Sequence, residues 1–121
     1  MEEYKDSRKW WDADIVCEIL KSLSHLDKEI PQQTVVRQFS EAGIEPKFIV
    51  NQIGILCAAA MIHIEVYFHT RFYLSIKEKG LTFLERMEDT SFADAMRAYS
   101  SIQDEDSRLT FDSACKKCGL F

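Results

Sequence analysis

The chain has 121 residues, 46% hydrophobic and 29% charged, with four glycines and two prolines. This is the composition of one small globular domain with few long loops, large enough for a core of its own. The formal net charge of −5 counts against a generic basic nucleic-acid binder, although residues 1–83 are nearly balanced, with 12 acids and 10 bases.

The opening "MEEYKDSRKWW" is too polar and acidic for a signal peptide. The longest apolar run, Phe48 to Phe68, approaches membrane-spanning length. Asn51, Gln52, His63 and Glu65 interrupt it, and its second half alternates like a strand. It reads as a core helix followed by a strand. No membrane partner is expected, and the expected location is intracellular, in the cytoplasm.

A first helix is expected from about Asp12 to His25, capped by Asp12 or Asp14, with Ile15, Ile19, Leu23 and Leu26 on one stripe. "KEIPQQ" breaks that rhythm. Pro31 suits the first turn of a second helix, Val35, Val36 and Phe39 supply its buried side, and Gly43 ends it. Pro46 opens a third helix, expected to reach about Ala60. Ile49, Ile53, Leu56 and Ala60 face the core there, and Lys47, Asn51, Gly54 and Ala58 lie opposite.

A β-hairpin follows. Ile62, Ile64, Val66 and Phe68 alternate on one strand, and Phe72, Leu74 and Ile76 on the other. Setting 68 opposite 72, 66 opposite 74 and 64 opposite 76 puts both apolar sets on one face, with His69-Thr70-Arg71 as the loop. In "FYLSIKEKGLTFLERM" the period then changes from two to that of a helix, expected over about Lys77 to Glu88. A fifth helix starts at Thr90 or Ser91, with Ser91 and Asp94 as a capping-box variant and Phe92, Met96 and Tyr99 on its apolar face. "SSIQDEDSR" reads as a solvated linker, and the end, "LTFDSACKKCGLF", as a mobile tail.

The predicted class is therefore mainly α with a small β-hairpin. The order of helix, short strand, two helices, hairpin and helix resembles the winged helix-turn-helix regulators. The closest likeness is to small regulators of archaea and their viruses. "LSIKEKGLTFL" is similar to the family's joint between the second wing strand and the next helix. "IGILCAAAMIHIE" resembles the end of a recognition helix before the first wing strand. Lys77 departs from the pattern, standing where the family usually has a capping Ser or Thr. On this resemblance residues 1–89 form the winged-helix domain with an arm over 1–11. Residues 90–102 form an extra C-terminal helix, and residues 103–121 an acidic linker and Cys-containing tail.

The resemblance implies a transcriptional regulator that binds double-stranded DNA, with the third helix in a major groove and the wing on the flanking backbone or minor groove. Lys47 and Asn51 are the expected contacts from the third helix, Asn51 being suited to adenine. Arg71, His69 and Thr70 are the wing-tip candidates, and Gln32, Gln33 and Arg37 are placed for phosphates. The outer flank of the third helix, with Val50, Gly54, Ile55 and Ala58, is poor in hydrogen-bonding groups. It equally fits a protein partner, so a protein-binding module stays open as the alternative.

A homodimer is expected, through Trp10 and Trp11 and the Phe92, Met96 and Tyr99 face; the same face folding back on its own domain is the alternative. Cys17 and Cys57 read as core thiols. Cys115 and Cys118 form a CxxC pair, which supplies two of the four ligands a structural zinc needs, so no metal is assigned. They are disulfide candidates, within the pair or across a dimer, or else free. No phosphate loop, zinc-protease motif or nucleophile elbow occurs, so neither enzymatic activity nor a cofactor is expected.

Overall fold

A computed structural model describes residues 11–25, 28–102 and 110–120. Among these the chain is mainly helical, with six helices and a three-stranded antiparallel sheet that includes a β-hairpin.

Helix α1 is Ala13–Ser24. The Asp12 carboxylate caps it, accepting from the N–H groups of Asp14 at 2.9 Å and Ile15 at 3.0 Å. Val16, Ile19, Leu20 and Leu23 are buried beneath it; Leu26 lies outside the described residues. Strand β1 is Ile30–Pro31, and α2, Gln32–Glu41, follows without a loop. Pro31 thus stands one step before the helix rather than inside it, because its φ of −59° suits both a strand end and an N-cap. Gly43, at φ +97°, ends α2 as expected.

Helix α3 is Pro46–Ala58, with Ile49, Ile53 and Leu56 buried. It stops short of the expected Ala60, which turns left-handed at φ 63° and redirects the chain into the hairpin. Strands β2 (Ile62–Tyr67) and β3 (Arg71–Ile76) form that hairpin, and β1 pairs with the other edge of β3. The register sets Val66 opposite Phe72, Ile64 opposite Leu74 and Ile62 opposite Ile76, two residues from the expected pairing. A two-residue shift keeps every side chain on its face, so the shared apolar face survives. The loop is Phe68-His69-Thr70 rather than His69-Thr70-Arg71. Phe68 and His69 both take left-handed φ, 54° and 65°, which closes the turn one residue earlier.

Helix α4 is Glu78–Met87. Its N-cap, Lys77, offers no side-chain cap, but the Lys77 N–H donates to the Met61 carbonyl at 2.9 Å. A Cβ on buried Gly80 would stand 2.6 Å from that same oxygen, 3.0 Å from Ile76 Cγ1 and 3.2 Å from Leu20 Cδ2. The glycine therefore lets α4 close onto the root of the hairpin and onto α1, which is why a helix breaker is found there.

Helix α5 is Thr90–Ile102. Asp89, not Ser91 with Asp94, caps it by accepting the Ser91 N–H at 2.9 Å; Asp94 lies 3.6 Å from Arg97 instead. Trp11, Phe92 and Met96, expected at a dimer interface, are buried in this chain's own core, and Tyr99 packs half-buried against it. Part of this surface is covered by α6, Phe111–Lys117, the segment expected to be a mobile tail: Phe111 meets Trp11, and Cys118, just past the helix, meets Met96. Trp10 lies outside the described residues. Ser100, expected in a linker, is a buried brace: its hydroxyl donates to the Trp11 carbonyl at 3.2 Å and accepts the Ala13 N–H at 3.4 Å.

Helix α6 is ordered by an apolar stripe of Phe111, Ala114 and Cys115, with Leu120 just beyond. The Phe111 ring lies 5.3 Å from the centroids of both Trp11 and Phe83. Arg86 stacks 4.7 Å over Phe92 and donates to the Cys118 carbonyl at 3.3 Å, fastening the end of α6. All four cysteines are free thiols. Cys17 and Cys115 are buried and Cys57 half-buried, while the Cys118 Sγ lies 3.7 Å from the Met96 Sδ.

Candidate functional site

The first turn of α2 and the end of the hairpin border a groove of about 650 Å³, lined by Pro31, Gln32, Gln33, Thr34, Val36, Arg37, Thr70, Arg71, Phe72 and Tyr73. Local structure explains the placement. Pairing of β1 with β3 sets Pro31 beside Tyr73, and α2 starts at the next residue, so its opening turn must lie against the distal half of β3. Five of the eight expected contacts, Gln32, Gln33, Arg37, Thr70 and Arg71, come together there. Both arginines are exposed, and no carboxylate occurs among the described lining residues. No side chain caps α2, so its first-turn N–H groups lack that partner at the groove. The arrangement has positive potential from two guanidinium groups and a helix N-terminus, with amide and hydroxyl groups between them.

Lys47 and Asn51 do not line this groove. They are exposed on the outer flank of α3, together with Val50, Gly54 and Ala58. That flank is open along the helix, and a Cβ at Gly54 would meet nothing within 4 Å. Asn51 also borders a smaller cavity of about 390 Å³, with Ile55, Ala58, Ala59, Trp11 and the start of α6. Asp112, on its rim, lies 3.4 Å from Lys116 and 3.8 Å from Lys79, which offset its charge. The inner flank of α3 carries an unexpected polar group. Gln52 is fully buried, and its Oε1 accepts the Asp12 N–H at 2.9 Å.

His69 is exposed at the tip of the hairpin, outside the groove. Beside it, Phe68 is 82% exposed, the most exposed large apolar side chain described. Val66 and Phe72 are also exposed, because the distal half of the apolar face extends past the core that covers Ile62 and Leu74. On the opposite face His63 Nε2 lies 2.9 Å from Glu65 Oε1, a surface pair on successive outward positions of β2. Tyr67 donates its hydroxyl to Glu29 at 3.0 Å, and that bond to a carboxylate raises the phenol pKa. No group of three or more His, Cys, Asp or Glu suited to a metal ion occurs among the described residues, and no described helix is long and apolar enough to cross a membrane.

No family model, curated protein or solved structure matches this chain. The site therefore rests on its own residues. Thr34, Phe72, Tyr73 and Phe68 were not among the expected contacts, yet a signal for them exists. In a chain with 20 acids, Ile30 to Ser40 and Val66 to Lys77 contain none. These two acid-free intervals are the ones the fold brings face to face.

Proposed function

We propose that the chain is a winged helix-turn-helix protein that binds double-stranded DNA as a transcriptional regulator. In this reading α2 and α3 are the helix-turn-helix, α3 enters the major groove, and the β2–β3 hairpin is the wing. The order α1-β1-α2-α3-β2-β3, with β3 central in the sheet, supports it, as does the open outer flank of α3. The observation that carries it is the acid-free groove. A protein of net charge −5 keeps Arg37, Arg71, Gln32, Gln33 and Thr70 around the uncapped start of α2, which is what a phosphate backbone requires. Lys47 and Asn51 supply the base-edge contacts from α3, and His69 reaches from the wing tip. As a homodimer the chain pairs through a surface other than Trp11, Phe92 and Met96, which are buried.

The test is a mobility-shift series on mixed-sequence duplex at about 50 mM and about 200 mM salt. Retardation at low salt is expected, with a shallow salt slope because few cations are engaged. Arg37→Ala and Arg71→Ala should each weaken binding and lower the slope by roughly one. Absence of any complex at low salt overturns the reading.

One observation favours a second reading, a winged helix that binds protein through α3. Val50 is 45% exposed beside Gly54 and Ala58, so the flank lets another helix approach closely. Under that reading Val50→Asp abolishes partner capture, and the arginine variants have no effect.

A further inference from the structure

The hairpin tip is built at a conformational cost that its own stability does not explain. Phe68 and His69 hold consecutive left-handed φ values, 54° and 65°, in a turn for which glycine and asparagine are the favoured residues. The strain presents a phenyl ring to solvent, 82% exposed, at the extreme end of the ribbon. The Thr70 N–H donates to the Tyr67 carbonyl at 3.3 Å and its hydroxyl to the Phe68 carbonyl at 3.4 Å, so the turn is cross-braced. An aromatic ring on a braced, strained turn has the form of a wedge.

What it fits is decided by its surroundings. Thr70, Arg71 and Phe72, which follow the tip, line the acid-free groove, so the ring stands two residues along the chain from the groove's edge. The nearest acids, Glu65 and Glu29, lie on the strand face of Arg71 and Tyr73 and are engaged there, Glu65 by His63 and Glu29 by Tyr67. A ring extending beyond two cationic or neutral polar neighbours, His69 and Arg71, suits a polyanion with an apolar interior. Stacked base pairs are such an interior.

We infer that Phe68 is a DNA-deforming wedge: it inserts between adjacent base pairs in the minor groove, partly unstacking one step, while Arg71 holds the adjoining phosphate. This rests on the DNA-binding reading and extends it. The wedge predicts preference for easily unstacked pyrimidine–purine steps, and a bend away from the hairpin. Specificity then comes partly from the deformability of a step and not from hydrogen bonds alone.

The experiment uses the full chain and duplexes carrying 2-aminopurine within a TA step or within an A-tract, with end-to-end fluorescence transfer to read bending. Wild type should raise 2-aminopurine emission at the TA step, shorten the end-to-end distance, and do neither on the A-tract. Phe68→Ala should lose both signals and bind about tenfold more weakly, the scale of one lost base–aromatic stack. Phe68→Gly relieves the left-handed strain, so it should keep or raise thermal stability while losing both signals. That separates a wedge from a merely structural residue. DNA binding without unstacking or bending overturns the wedge and leaves the DNA reading intact. Absence of DNA binding overturns both. A tip variant that changes sedimentation, with DNA signals unchanged, assigns the ring to a second copy of the chain and also overturns the wedge.

Discussion

Gln52, midway along α3, accepts the backbone N–H of Asp12 at 2.9 Å from a fully buried position. The outward-facing helix is thus tied to the residue that caps α1. Replacing Gln52 with Leu leaves the Asp12 N–H without that acceptor, a loss of about 1–3 kcal/mol. The check is the denaturant midpoint at constant m-value. An unchanged midpoint would contradict the assigned role.

Two glycines should respond in opposite directions. Gly80→Ala drives a methyl group to within 2.6 Å of the Met61 carbonyl oxygen, and backbone does not yield like a flexible side chain. Overpacking of this kind costs about 1–3 kcal/mol. Gly54→Ala meets open space in the middle of α3, so it should stabilise by about 0.5–1 kcal/mol through helix propensity. Thermal unfolding of the two variants side by side tests the pair.

Phe111→Ala removes a ring buried against Trp11 and Phe83. The expected destabilisation is about 3–5 kcal/mol, with tryptophan emission shifted to the red as water reaches Trp11. A loose tail would give neither change, so the same variant tests whether α6 belongs to the core.

Burial, aided by the charge of Asp112, pushes the Cys115 thiol up to about 12 from an ordinary value of 9.0. The raised value means that the folded state disfavours the thiolate. The contribution of Cys115 to stability is therefore fully present below pH 9.0 and is lost as pH rises from there toward about 12. Cys115→Ala should flatten that part of the alkaline stability profile. In the native protein Cys115 should also react with iodoacetamide more slowly than partly exposed Cys118, and the two should equalise on unfolding.

Helices α1 to α5 were legible from short-range signatures: Asp12 as cap, Pro46 at a first turn, Gly43 past an end, and apolar residues at helical spacing. The hairpin face was legible for the same reason, since period two survives a two-residue slip. Its register and loop were not, because nothing in the sequence marks Phe68 and His69 as residues that will accept left-handed φ. The fate of the C-terminal segment was hidden by its charge. "DEDSR" beside "CKKC" looks solvated, and only the meeting of Phe111 with Trp11, 100 residues earlier in the chain, makes it core. That meeting also takes up Trp11, one of the residues expected to pair two protomers. Of the groove, five polar residues, Gln32, Gln33, Arg37, Thr70 and Arg71, were named from the sequence one by one. Their separation from Lys47 and Asn51, on the flank of α3, required the sheet order, a long-range property.

A single oxygen, that of Met61, receives the Lys77 N–H and abuts the bare Cα of Gly80. The β-ribbon therefore has a pivot whose clearance is set by one missing methyl group. Side chains grafted onto the ribbon's far end will be aimed by that clearance, whatever sequence they carry. Redirecting the ribbon for a new target should begin at residue 80, some way from any surface the target touches.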